Sequence, residues 1–288
     1  MTWPPACPRR HVRTCARAIP LWLVLPEHSR PGLPPELVSR LTRALQPNWS
    51  DVHLVTGQHA ATALALGAAR QWITQHQIAA AVLAIDTPHA ADTLAWLEAR
   101  ALLHHARTPY QGQARANPYG RIPGEAATAL LLGPVRPPAR SPAWCHVSAL
   151  ATADEPLTFD TEGPCVGAGL SAAAFAALDA AGHAATAIGQ LIHDANGEPY
   201  RADEFGFTAL RLADRLADGW RRISPALATG DLMSASLATQ LAIAALHLHQ
   251  SKQASQRSPA APAQATLLLA SSDQALRAAL VLTPAKEA

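Results

Sequence analysis

The side chains that could do chemistry in this 288-residue chain are four cysteines, thirteen histidines and a few acids set in turns. Cys165, in EGPCVGAGL, stands just before an Ala-rich helix and is the best-placed thiol for a nucleophile. The same position suits a small buried residue at a loop–helix junction, and that is its expected role. Cys145 falls in a strand, and Cys7 and Cys15 fall in a basic, Pro-rich leader. None of the four makes a CxxC pair or zinc-ligand spacing, so reduced thiols are expected. His104 and His105 are a loop pair without a third ligand at metal spacing. His247 and His249 are two apart and cannot share a helical face. Arg201, Asp203 and Glu204 sit at a helix start, where acids suit the dipole, and read as a surface or salt-bridged group.

Composition narrows the function classes. Hydrophobic residues make up 49% of the chain, enough for a sizeable core, and charged residues only 15%. A net charge of +2 gives no reason to invoke nucleic acid. The apolar run from Ala18 to Pro26 is short and contains Pro20, so it reads as a strand rather than a signal sequence. No window approaches the length of a membrane span. A cytoplasmic protein with no membrane contact is expected.

Hydrophobic periodicity supplies the elements that would hold these residues. Strands are expected at Ile19–Leu25, Val52–Val55 and Ile78–Ile85, with helices from Pro34 to Leu45, Ala60 to Gln75 and Asp92 to Leu103. A polar loop follows to Pro123. Ala126–Leu132 and Trp144–Ala151 then read as a hairpin. The second half repeats the order: helix Ser171–Ala181, strand Ala187–His193, helix Arg201–Leu216, a short extended piece Pro225–Thr229, and helix Leu232–His249. Residues 250–265 are polar and expected to be mobile, and Leu267–Ala270 with Ala278–Thr283 forms a closing hairpin. The domain organisation expected is a disordered leader at 1–17 and one domain at 18–288, divided at 158/159.

TGQHAATALA at 56–65 and TGDLMSASLA at 229–238 share Thr-Gly at the start and Leu-Ala nine and ten positions in. Each follows a short extended segment and opens a long apolar helix, and later in each half comes a hairpin. Helices with so few charges belong between layers. An α/β fold of five layers, αβαβα, with two pseudosymmetric halves is therefore expected.

That organisation resembles the thiolase fold, and three segments resemble β-ketoacyl synthases. IPGEAATALLL at 122–132, with Gly124 and Glu125, is similar to the family's Gly-Glu-Gly-Ala segment. HDANGEPYRADEFGF at 193–207 resembles its His-Gly-Thr-Gly-Thr loop. ATGDLMSASLATQLAIAAL at 228–246, with Gly230, resembles its Asn-x-Gly-His helix start. Active family members use one Cys and two His. The Cys, at a helix N-terminus, is acylated, and the two His stabilise an enolate. The resemblance places His59 at the nucleophile position, or Gln58 if shifted by one, and Asp194 and Asp231 at the two His positions. Carboxylates there would repel a developing enolate oxygen. Glu125 is expected to be buried and bonded to backbone.

If His59, Asp194 and Asp231 converge, they offer one imidazole and two carboxylates, which could hold a divalent metal or orient His59 as a base. Their local sequence supports plainer roles. Asp231 is placed as an N-cap, Asp194 leads the turn Ala195-Asn196-Gly197, and His59 is placed to satisfy the start of its own helix. No cofactor, no metal and no catalytic residue are expected. Short family members without the triad, which this chain resembles, are encoded among type VI secretion effector genes in Gram-negative bacteria. The resemblance thus implies a non-catalytic adaptor or chaperone with a protein partner. The alternative is an acyltransferase, decarboxylase or thioesterase centred on His59; a third reading is the partner subunit of an active synthase, as chain-length factors are. A homodimer is implied, with its edge near Ile78–Ile85.

Overall fold

The computed structural model describes residues 19–135, 143–182, 188–257 and 264–285. The leader expected at 1–17 lies outside the described residues. The elements, in chain order, are β1 (Leu21–Leu25), α1 (Leu37–Leu45), β2 (Val52–Thr56), α2 (Ala61–His76), β3 (Ala80–Asp86), α3 (Ala91–Ala99) and β4 (Ala126–Leu132). The second series is β5 (Cys145–Asp154), α4 (Ala168–Ala181), β6 (Ile188–His193), α5 (Pro199–Arg211), β7 (Leu216–Ile223), α6 (Ala226–Thr229), α7 (Ser236–Arg257), β8 (Ala265–Ser271) and β9 (Leu276–Pro284).

They build two mixed sheets, ordered β2-β1-β3-β4 and β5-β9-β8-β6-β7. Reading the second from its far end gives β7-β6-β8-β9, the same order with the same parallel and antiparallel senses. The pseudosymmetry read in the sequence is thus a repeat of topology. The crossover from β1 to β2 and the crossover from β2 to β3 run in opposite directions along the sheet. Right-handed connections therefore place α1 and α2 on opposite faces. The same rule sends α5 and α7 to opposite faces of the second sheet.

The inner helices α2 and α7 fill the space between the sheets. Ala61, Ala65, Ala69, Leu237, Leu241 and Ala244 pack there against Val24, Val82, Leu268 and Leu280. Alanine on both helices keeps the layers close, which explains an Ala-rich chain without an aromatic core. A second cluster lies between the second sheet and α4 and α5, built from Leu170, Leu178, Phe205, Leu267 and Val281. These layers are the α/β, thiolase-like architecture expected.

Several local expectations fail. β4 and β5 are not a hairpin: β4 pairs with β3, and β5 pairs with β9 of the other sheet. The Pro-rich connection between them is a passage from one sheet to the next. β3 is interior, flanked by β1 and β4, so it cannot be the dimer edge expected near Ile78–Ile85. Pro225–Thr229, expected to be extended, is the short helix α6. The helix expected over Arg201–Leu216 ends at Arg211, and Leu216–Ile223 is the strand β7. α7 runs on to Arg257, so the polar stretch expected to be mobile from residue 250 begins as helix. Residues 258–263 lie outside the described residues.

Candidate functional site

The two echoed turns meet. β2 ends at Thr56, and Gly57-Gln58-His59 carries the chain into α2. α6 ends at Thr229, and Gly230-Asp231-Leu232 carries the chain towards α7. His59 Nε2 and Asp231 Oδ1 lie 2.7 Å apart, both side chains almost fully buried. Two glycines make this possible. A Cβ on Gly124 would lie 2.2 Å from the Thr229 carbonyl oxygen, and one on Gly230 would lie 2.8 Å from that of Ile122. Without side chains the two backbones clamp together: Asp231 N donates to Ile122 O at 2.7 Å, and Gly124 N donates to Asp231 O at 2.9 Å. Glu125, expected to be buried and backbone-bonded, is exposed instead and accepts from Thr87 Oγ1 at 2.9 Å. It follows the clamp at the mouth of β4, where its carboxylate stays hydrated.

Asp194 does not touch His59 directly. Arg201 stands between them, donating through Nη1 to Asp194 Oδ2 at 3.2 Å and through Nη2 to His59 Nδ1 at 3.1 Å. A guanidinium only donates, so Nδ1 of His59 carries no proton. The Nε2–H then donates to Asp231. Both ring nitrogens are occupied. The set proposed for a divalent metal therefore has a guanidinium at its centre. Arg201, expected as a surface or salt-bridged group, is salt-bridged to Asp194, Glu198 and Asp273 and fully internal. Glu204 is buried against Arg277, while Asp203 is exposed.

A larger network surrounds this dyad. Arg121, whose side chain is 0% exposed, donates through Nε and Nη2 to Glu198 Oε1 at 3.0 and 2.8 Å, and through Nη2 to Asp273. Arg201 Nη2 donates to Asp273 Oδ1 at 2.7 Å, and Arg201 Nε donates to Glu198 Oε2 at 3.2 Å. Asn196 Nδ2 donates to Asp231 Oδ2 at 2.6 Å. Two guanidiniums thus serve four carboxylates, those of Asp194, Glu198, Asp231 and Asp273. Burial would raise Asp231, but His59, Arg121 and Arg201 hold it well below the usual carboxylate range. Burial likewise opposes ionisation of Asp273, and the same two guanidiniums hold it low. Asp194 is the exception: its desolvation outweighs Arg201 and raises it. Burial disfavours charge on Arg201 as well, and the surrounding carboxylates reverse that and raise it well above its ordinary value.

Backbone donors complete the picture. Asp231 Oδ1 accepts from Met233 N at 2.9 Å, a local turn bond; the helical turn that follows is capped at Leu232 and α7 starts at Ser236, so Asp231 is not the N-cap expected. Asp194 Oδ2 accepts from Ser271 N at 2.7 Å. Gln58 Oε1 accepts from Asp273 N at 2.7 Å and Gln274 N at 3.2 Å, fastening the β8–β9 turn to the start of α2.

A cavity of about 180 Å³ reaches Gln58 and His59 from outside, lined also by Arg30, Asp86, Trp96, Met233, Ser234 and Asp273. That is below the ~300–1,000 Å³ usual for small-molecule pockets. Neither Asp194 nor Asp231 lines it. The thiols are elsewhere. Burial pushes Cys145 in β5 up to about 11 and raises Cys165, so neither is an activated nucleophile. Glu155, Cys165 and Glu204 bring three potential ligand atoms within 4.8 Å of one another. Glu155 already accepts from Gly169 N, and Glu204 from Arg277. His104 and His105 are exposed and contact each other edge-on. His247 bonds Gln190, and His249 stacks on Trp144. No helix among the described residues is long and apolar enough to cross a membrane.

No protein-family model and no curated protein matches the sequence. Solved structures do match in shape. The ishigamide ketosynthase/chain length factor superposes with a TM-score of 0.64 at 19% identity, over 94% of this chain and 74% of its own. The ketosynthase ApeO in complex with its chain length factor ApeC, from Xenorhabdus doucetiae, gives 0.67 at 16% identity, over 92% and 74%. The ketosynthase from module 6 of the bacillaene synthase of Bacillus subtilis 168 gives 0.70 at 11% identity, over 96% and 55%. This chain therefore spans between about half and three quarters of the length of these three. At such identities the likeness is one of fold, and the chain has the thiolase-like fold of the ketosynthases.

Proposed function

We propose that the chain is a thiolase-fold protein without condensing activity, which works by binding another protein. The observation that carries this is the state of His59. At the buried helix start where the resemblance places a nucleophile, an imidazole is held by Asp231 on one nitrogen and Arg201 on the other. Neither nitrogen is free to attack a thioester or to take a proton from water. Asp194 and Asp231 are spent on backbone donors and guanidiniums, so no neutral donor is left to steady an enolate. The cavity at His59 supports the same reading, because at about 180 Å³ it is smaller than usual small-molecule sites.

The short, triad-less pattern leads to a finer proposal: an adaptor or chaperone for a type VI secretion effector. The test is co-expression with an effector encoded beside it. A stable complex that keeps the effector soluble supports the adaptor. Unchanged effector stability and secretion after deletion of the adaptor gene counts against it. A second reading is favoured by the neighbours, two of which are described together with chain length factors. In that reading this chain is the non-catalytic partner of a ketosynthase. Co-purification with an active synthase distinguishes the two. His59-centred acyl transfer, decarboxylation or thioester hydrolysis is the least supported, since it needs the nitrogen that Arg201 occupies.

A further inference from the structure

The chain is poor in aromatics, with three tyrosines and four phenylalanines in 288 residues. All three tyrosines, Tyr110, Tyr119 and Tyr200, line one cavity of about 490 Å³, together with Phe159. That volume lies within the range of small-molecule sites. Phe159 and Tyr200 meet edge to face at 5.7 Å, and Tyr200 is fixed by donating to Leu157 O at 3.0 Å. Tyr119 is 54% exposed at the mouth. No protein hydrogen bond to the Tyr110 or Tyr119 hydroxyl is present among the described residues. Gathering every tyrosine around an open space does not serve the core, which Ala and Leu fill.

Glu198, a member of the buried network, lines the same cavity. Within that network Glu198 accepts from Arg121 and Arg201, and its carboxylate also borders the cavity. The wall registers it: burial raises the Tyr110 hydroxyl, and Glu198 raises it further. Arg100 is the one cation among the lining residues. It pairs with Asp160 at 2.5 Å and lies over the Trp96 ring at 5.5 Å.

Aromatic faces beside a carboxylate attract a diffuse cation, the rings through their quadrupole. We propose that this cavity binds a small organic cation, an alkylated ammonium seated against Tyr110, Tyr119 and Phe159 with Glu198 beside them. The site is separate from His59 and needs no reaction there.

Titration calorimetry with choline and with its uncharged isostere 3,3-dimethyl-1-butanol tests it, since the pair differs in charge and hardly in shape. Choline should bind at least roughly tenfold more tightly than the isostere, as cation–π energies imply. Tyr119→Ala should weaken choline by roughly tenfold, and Tyr119→Phe should preserve binding, since the ring and not the hydroxyl is used. Tyr119 is half-exposed, so its loss leaves the fold intact, which a melting curve checks. Equal binding of choline and the isostere would overturn the proposal. So would absence of binding by choline, tetramethylammonium and benzyltrimethylammonium alike.

Discussion

The two halves of the molecule share one topology and divide the labour at their junction. The first half contributes a four-stranded sheet, and the second a five-stranded sheet with β5 added beyond β9. Their equivalent turns both deliver a helix start to the same buried place. The first delivers His59, with Arg121 entering from the loop before β4. The second delivers Asp194, Asn196, Glu198, Arg201, Asp231 and Asp273. A reactive centre leaves at least one convergent group unsatisfied for its substrate to complete. Here His59 and Arg121 of the first half and Asn196 and Arg201 of the second satisfy the second half's carboxylates, and Arg201 also reaches back to His59, so convergence joins the halves. The comparison teaches that two halves can share a topology while contributing different side chains to their junction.

The second half's guanidinium is where this division is easiest to break. Arg201→Leu leaves Asp194, Glu198 and Asp273 short of a buried partner and frees Nδ1 of His59. Unfolding stability in urea should fall by about 3–5 kcal/mol. A loss under 1 kcal/mol would show that the network does not bind the halves. Gly230→Ala attacks the clamp rather than the charges. Gly230 has φ +73° and ψ 177°, a region essentially reserved for glycine, and a Cβ would press on Ile122 O. About 3 kcal/mol should be lost, and thermal melting would register it.

A pH effect should come from the second half alone. Burial, then the charge of Arg222, lowers His193 in β6 from its ordinary value to about 3. The folded protein keeps it neutral, while the unfolded chain takes up a proton below about 6.5. Its contribution is therefore complete above pH 6.5 and is lost as pH falls towards 3. Between pH 7 and 4.5, His193→Gln should remove about 2 kcal/mol of acid sensitivity, measured by urea titrations at each pH. The smallest effect belongs to the first half's free edge. Leu131 in β4 is 74% exposed, and Leu131→Glu should change stability by less than ~0.5 kcal/mol. A larger loss, or a change in oligomeric state, would mean that this edge is covered in solution.

The layers were legible because they rest on long apolar patterns. β1, α2, β3 and α7 are read within a few residues, and the Thr-Gly echo marks both buried helices. β7 was hidden because Leu216, Trp220 and Ile223 fall at helical spacing, and because its pairing with β6 skips register between Ile188 and Gln190. The partners of β4 and β5 were hidden because adjacency in sequence favours a hairpin, whereas here the chain changes sheet. At the site, His59 and Asp231 were found through the echo and the resemblance. Arg121 and Arg201 were not, because arginine is rarely buried. Their signal was indirect: Asp194, Glu198, Asp231 and Asp273 are four acids set in turns, and acids carried into a core require cations.

The most direct measurement is the fate of thioesters on the protein itself. Wild-type chain and His59→Ala are incubated with acyl-CoA and malonyl-CoA, and intact mass and carbon dioxide release are followed. The wild type should form no acyl adduct and release no carbon dioxide above the protein-free rate, and His59→Ala should be indistinguishable from it. An adduct or turnover in the wild type that His59→Ala abolishes would contradict a closed, non-catalytic site.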